Sequence, residues 1–317
     1  MAGYTDSAFR QIVKEIEPNI ICFSELTSIN ALRYNSQKTL KLLDFSQQEQ
    51  PIIAQLFGND PNFFIEAGKK LEKLKVDGID INMGCPAPKI TKNAQGSALL
   101  KNPSLAVRIA KTLCETVKIP VSVKMRIGYS SYDKKFFLNL IKRLEKAGIK
   151  AMVVHGRTTH QAYSGTANFD PIYFAKKHLK IPVIGNGDID SPEKAIKMLK
   201  SPDGKITLDG LMIGRASIGN PWIMREIYQK LHKKQIYKTS SITSTQSQQK
   251  TFKQKLPTIK KHLKLAIRIH GEKIGLLEMR KHLGRYISNM PNASKLRIKI
   301  MQENSVENVV KLLGSKF

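Results

Sequence analysis

Residues 78–90, GIDINMGCPAPKI, carry a lone thiol to the end of a strand-like run. Ile79, Ile81 and Met83 alternate with Asp80 and Asn82, then Gly84 breaks the pattern ahead of Cys85 and a Pro-rich turn. Alternation of this kind reads as a strand, and the C-terminal edge of a strand is where α/β barrels do their chemistry. Cys85 is either a reactive group at that edge or a small apolar filler, as many intracellular cysteines are.

Other strand ends hold residues suited to a single ligand. Gln55 follows Ile52, Ile53 and Ala54 and suits hydrogen bonding to the edge of a heterocycle. Lys124 faces a barrel lumen if Val123 and Met125 face the helices, and a lysine there needs an anionic or strongly accepting partner. His155 ends the run before Gly156 and Arg157. Asn186, Gly187 and Asp188 follow one late strand, and Gly214 with Arg215 follows the next. Loops after the last two strands of a barrel commonly bind phosphate through Gly N–H groups and a helix N-terminus. Arg215 adds a charge-assisted partner. A phosphate, a lumenal lysine and a glutamine together point to a phosphorylated heterocyclic cofactor, with FMN the best fit.

The elements that must position these groups alternate regularly. Strands are expected at 19–25, 51–58, 78–84, 120–128, 151–157, 181–187 and 210–216. Helices are expected at 61–75, 103–117, 133–147, 171–180 and 191–199, many opening on Asp, Ser or Pro. Repeated strand and helix imply a parallel sheet and an α/β (β/α)8 TIM barrel. The count is one strand short, because the chain opens at MAGYTDSAFR, a loop followed by a helix capped by Thr5 or Asp6. Met1 is therefore expected to be an internal methionine of a longer protein. The domain division expected is a barrel over 1–220 and a helical bundle over 221–317. Helices are expected at 252–270, 273–289 and 303–313, a break at Pro291-Asn292, and a polar mobile loop over 235–251.

Charge separates the two parts. The chain has 53 Lys and Arg against 25 Asp and Glu, a net of +28. Residues 221–317 hold 21 of those cations and 5 of the acids, about +16, leaving about +12 for the longer first part. That concentration points to a polyanion such as nucleic acid. The three cysteines, Cys22, Cys85 and Cys114, have neither disulfide nor zinc spacing, so no metal is expected and a reducing compartment is. No apolar run approaches the ~20 residues of a membrane span. The expectation is a cytoplasmic protein.

Taken in order, MAGYTDSAFR, QLFGND, DINMGCPAPKI, VKMRIG, VHGRTTHQAYSG, GNGDI and MIGRASIGNPW resemble the tRNA-dihydrouridine synthases, most of all the bacterial B-type subgroup. The resemblance extends over essentially the whole chain, into Met279-Arg280-Lys281-His282. It implies an FMN-binding TIM barrel with a C-terminal helical tRNA-binding domain. The implied reaction is reduction of a tRNA uridine, with NADPH regenerating the flavin. Cys85 becomes the general acid. FMN contacts fall at Met1, Ala2, Gln55, Lys124, His155, Asn186, Gly187, Asp188, Gly214 and Arg215. Asn82, Arg126 and Tyr163 line the uracil pocket, and Arg280, Lys281 and His282 meet tRNA. The family has Ala-Pro ahead of Met-Ala-Gly, which this chain lacks. Two rival readings stay open: a flavin barrel acting on a small pyrimidine, and a catalytically silent tRNA-binding protein.

Overall fold

A computed structural model describes residues 1–34, 36–236, 251–288, 290 and 292–314. The expected loop over 235–251 falls almost wholly outside the described residues, its first two residues closing the helix Ile223–Ile236. The chain divides into two compact units. One is Ile21–Gly214; the other joins Met1–Ile20 to Arg215–Phe317.

The first unit is built on a parallel sheet. Its strands are β1 Cys22–Phe23, β2 Thr27–Ser28, β3 Ile52–Phe57, β4 Gly78–Met83, β5 Val121–Arg126, β6 Ala151–His155, β7 Val183–Asn186 and β8 Gly210–Met212. The order is β1-β3-β4-β5-β6-β7-β8, with β2 also on β3. β1 and β2 are one edge strand with an interruption. Phe23 pairs with Ile53 and Thr27 with Leu56, four residues against three. Among the described residues no pairing joins β1 to β8. The parallel strand-and-helix barrel class with an added helical region is the one expected.

Register sorts the side chains. Gln55 pairs with Asp80, Asp80 with Ser122, Asn82 with Lys124, Arg126 with His155, and His155 with Asn186. Paired residues of a parallel sheet share a face, so these polar groups line one side. The opposite side is apolar. Leu56, Ile79, Ile81, Met83, Val123, Met125 and Val154 are buried there. That side packs on helices with matching stripes. The helix Pro61–Lys73 is capped by Asp60, whose carboxylate accepts from Asn62 and Phe63 N–H, and buries Phe64, Ala67, Gly68 and Leu71. Pro103–Thr116 and Lys134–Lys146 repeat the plan with Asn102 and Asp133 as caps.

The second unit is helical. Thr251 caps the helix Phe252–His270, followed by Glu272–Tyr286, Ala293–Gln302 and Val306–Gly314. The run expected over 303–313 is the helix Val306–Gly314; the helix Ala293–Gln302, which was not expected, starts after Asn292, which adopts φ 57°. The opening helix Ser7–Ile16, capped by Asp6, belongs to this unit rather than to the sheet. Its Ala8, Ile12 and Ile16, spaced by four, enter one core with Ile259, Leu263, Met279 and Leu283. An amphipathic helix shows its apolar stripe in the sequence, not which surface will cover it.

Among the described residues no helix is long and apolar enough to cross a membrane, and no group of His, Cys, Asp or Glu is placed to hold a metal ion. Ile12 is 1% exposed. Ile12→Ala should therefore lower stability by roughly 2–4 kcal/mol, read from urea denaturation of the full chain; a change under about 0.5 kcal/mol would contradict its place in this core.

Candidate active site

The polar face of the sheet is a connected hydrogen-bond network. Asp80, fully buried on β4, accepts from Ser122 Oγ at 2.6 Å and from Gln55 Nε2 at 2.8 Å. Gln55 Oε1 accepts from Asn82 Nδ2 at 2.8 Å. Asn82 Oδ1 in turn accepts the backbone N–H of Gly84 at 3.1 Å and of Cys85 at 2.9 Å. The thiol-bearing turn is thus fastened to the strand that precedes it.

That turn is held from its other side as well. Arg126 is almost wholly buried; its Nε donates to Gly84 O at 2.8 Å and its Nη1 to Thr158 O and Ala162 O at 2.7 and 2.9 Å. Ser97 N–H donates to Cys85 O at 3.1 Å. Gly96, at φ 60°, lets the chain pass this close, since a Cβ there would meet Cys85 O at 2.9 Å. Tyr163 is exposed, with the Arg126 guanidinium 5.9 Å from its ring centroid. The geometry gives Asn82 and Arg126 a shaping role beside Cys85, in addition to any contact with a substrate.

Lys124 reaches across the same face to Asn186, donating to Oδ1 at 3.1 Å, and Asn186 Nδ2 donates to Met212 O at 2.8 Å. Burial lowers the Lys124 ammonium to about 8, with Asp80 opposing, Arg126 adding to the fall and Cys85 opposing more weakly. Burial likewise raises the Asp80 carboxyl to about 6, although Ser122, Gln55 and Lys124 favour its ionised form. The sign of the linkage follows. A carboxyl raised above its ordinary value weakens the fold as pH climbs from about 4 to about 6, and most of that penalty is present at pH 7. Ionisation of Asp80 therefore costs the fold at neutral pH instead of stabilising it.

His155 is driven down to about 2, first by burial and then by Lys124, Arg126 and Arg157, so it stays neutral. Arg157 Nη1 lies 3.5 Å from His155 Nε2, and an arginine only donates; Nε2 is then the accepting nitrogen and Nδ1 carries the proton. Arg157 also grips Asp188 with both Nη atoms, at 2.8 and 2.7 Å, while Asp188 Oδ2 accepts Ala167 N–H at 2.8 Å. Asp188, expected as a cofactor contact, thus braces the loop after β7. Next to it Gly187 takes φ 131°, and a Cβ would strike Ala167 at 2.5 Å and the His155 ring at 3.1 Å.

Gln55, Asn82, Cys85, Lys124, Arg126, His155, Tyr163, Asn186, Gly187, Asp188 and Gly214 all belong to the sheet unit. Met1, Ala2 and Arg215 belong to the helical unit, where the Met1 carbonyl accepts from Tyr4 and Thr5 N–H at 3.0 and 3.2 Å. Of the residues expected to meet RNA at 280–282, one is interior. His282 is 2% exposed, stacks on Phe9 at 5.2 Å and is pushed by burial down to about 4, so it is a neutral interior residue. Arg280 Nη2 donates to Glu303 O and Asn304 Oδ1 at 2.9 and 3.0 Å, and Lys281 pairs with Glu278. Three residues of this network drew no expected role from the sequence: Asp80, Ser122 and Arg157. Asp80 shares the alternation of Asn82, which was a usable signal; Ser122 and Arg157 gave none until register placed them.

The donor set fits a flavin. A buried ammonium with one neutral hydrogen-bond partner keeps N–H donors for an accepting ring edge. The neutral His155 imidazole and Gly187 at positive φ beside it are group types that phosphate sites use. The loop brace gives a separate test. Arg157→Ala should lower stability by roughly 3 kcal/mol, because Asp188 loses a partner that is itself 3% exposed. Arg157→Lys should recover less than half, lacking the two-pronged geometry; full recovery in denaturant melts would contradict the bidentate brace.

Comparison with known proteins follows the same line. The model of the family described as dihydrouridine synthase (Dus) matches residues 1–316. The chain is 36% identical over 297 residues to tRNA-dihydrouridine synthase B of Pseudomonas aeruginosa, covering 94% of this chain and 85% of that protein. It is 35% identical over 314 residues to the probable tRNA-dihydrouridine synthase 1 of Synechocystis sp., covering 99% and 83%. With the probable tRNA-dihydrouridine synthase of Rickettsia conorii the identity is 36% over 298 residues, covering 94% and 85%. The resemblance read from the seven motifs holds, and the chain belongs to the dihydrouridine synthase family.

Proposed function

We propose that this chain reduces the C5–C6 double bond of a uridine in tRNA, with FMN as cofactor and NADPH as reductant, in the cytoplasm. The observation that carries the reading is the fastening of Cys85 to a buried polar face that offers a lysine, an amide row and a neutral histidine. Family membership and the named activities of the relatives support the substrate class.

Reduction of the ring delivers a hydride to C6 and a proton to C5. A flavin supplies the hydride when bound. Lys124 holds an accepting edge of the cofactor, and with its ammonium near 8 it is charged at pH 7. Negative charge that spreads to the uracil C4 oxygen is stabilised by Arg126, whose guanidinium is pre-oriented by three carbonyls. Cys85 gives the proton to C5 and regains one from water. Tyr163, exposed beside Arg126, offers a ring on which an extruded base stacks.

The helical unit meets the RNA backbone. Lys253, Lys264, Arg268, Lys295, Arg297 and Lys299 are exposed on its helices. A free pyrimidine requires no such surface, so NADPH oxidation that depends on added tRNA separates this reading from a small-molecule reductase. Cys85→Ala should slow single-turnover reduction of tRNA uridine by roughly 10²–10⁴-fold with flavin retained; an unaltered rate would remove the thiol from the reaction. Affinity for tRNA should fall steeply with salt, and Lys264→Ala with Arg268→Ala should reduce the logarithmic slope by about two. A slope that does not move would place the RNA surface elsewhere.

A further inference from the structure

We propose that Asp80 is the positioning residue for Cys85, acting at a distance through the amides of Gln55 and Asn82; this rests on the reading of Cys85 as the group that meets substrate. The argument is one of hydrogen-bond direction. Both carboxylate oxygens of Asp80 receive a donor, Ser122 Oγ on one and Gln55 Nε2 on the other. The Ser122 hydroxyl can donate or accept, whereas the Gln55 nitrogen can only donate, so the fixed demand on position 80 is an oxygen that accepts from Gln55.

The direction then propagates. Because Gln55 turns its nitrogen to Asp80, its oxygen faces Asn82 and accepts Nδ2 at 2.8 Å. Because Asn82 turns its nitrogen to Gln55, its oxygen faces Gly84 and Cys85 and accepts both backbone N–H groups. The same assignment is reached from the other end. Backbone N–H groups can only donate, so Asn82 must show them oxygen, Gln55 must show Asn82 oxygen, and the nitrogen of Gln55 must end on an acceptor. The buried carboxylate is that acceptor.

Asp80→Asn keeps the direction, since its amide can turn its nitrogen to the Ser122 hydroxyl, which accepts, and its oxygen to Gln55. Asp80→Leu keeps much of the volume and removes the acceptor, so the Gln55 nitrogen has no partner and the row loses its anchor. Gln55→Leu breaks the row at its middle and takes the acceptor from the Asn82 nitrogen. Ser122→Ala removes a donor from Asp80 without altering any direction.

Amide hydrogen exchange at Gly84 and Cys85 of the full chain reads this without reference to turnover. Asp80→Leu should raise exchange at both positions roughly tenfold or more, the scale of one lost hydrogen bond. Asp80→Asn and Ser122→Ala should each stay within about threefold of wild type. Wild-type exchange in Asp80→Leu, or an equal rise in Asp80→Asn or Ser122→Ala, would overturn the relay. Should Asp80→Leu fail to fold, Gln55→Leu decides: a roughly tenfold rise at Gly84 and Cys85 upholds the relay, and wild-type exchange there contradicts it. Loss of the Cys85 reading, seen as unaltered turnover in Cys85→Ala, would leave these exchange results standing and is thereby told apart.

Discussion

A polar side chain on the covered face of a parallel sheet has lost its water, so each donor there must meet an acceptor on a neighbouring strand. In this protein that demand is met by a row running from Ser122 through Asp80, Gln55 and Asn82 to the backbone of Gly84 and Cys85. A second row joins Lys124 to Asn186 and Asn186 to the carbonyl of Met212. Strand register brings the members together, and hydrogen-bond polarity then fixes which end of each amide points where. A one-residue slip of β4 would send Asp80 and Asn82 into the helix layer and leave Gln55 and Ser122 without their partners. The apolar face of the sheet therefore protects the chemistry on the other face by enforcing register.

Much of this was legible in the sequence because strands covered on one side alternate. The pattern of Ile79, Ile81 and Met83 against Asp80 and Asn82 located β4, and the polar residues at strand ends marked the face that matters. Bond partners were not legible, since they depend on register between segments tens of residues apart. Asp188 illustrates the gap: beside two glycine-rich loops it reads as a ligand contact, yet its carboxylate is engaged by Arg157 and the Ala167 N–H. His282 illustrates another. A basic run on a helix looks like an RNA contact, but helical periodicity turns one residue in three or four inward, and His282 is that residue. The opening helix was assigned to the sheet by its place in the chain; its stripe of Ala8, Ile12 and Ile16 is covered instead by helices from the far end.

The same physical chemistry gives the helical unit its character. Residues 221–317 contain 21 cations and 5 acids, so most of the positive charge there has no acid in that segment with which to pair. Exposed pairs such as Lys261 with Glu15 and Lys311 with Glu307 use a few of them and contribute little to stability. In the proposed function that surplus is what meets a polyanion. Two buried groups of that unit are held neutral: burial pushes His262 down to about 3 and the Tyr286 hydroxyl well above its ordinary value.

The central claim is that the polar face beside Cys85 is a flavin site organised around the Lys124 ammonium. Flavin binding to Lys124→Met against wild type tests it most directly, by fluorescence titration of the flavin-free full chain at pH 7. The account requires the variant to bind at least about tenfold more weakly, since a charge-assisted hydrogen bond in a buried site is lost. Equal affinity in a folded variant would contradict it.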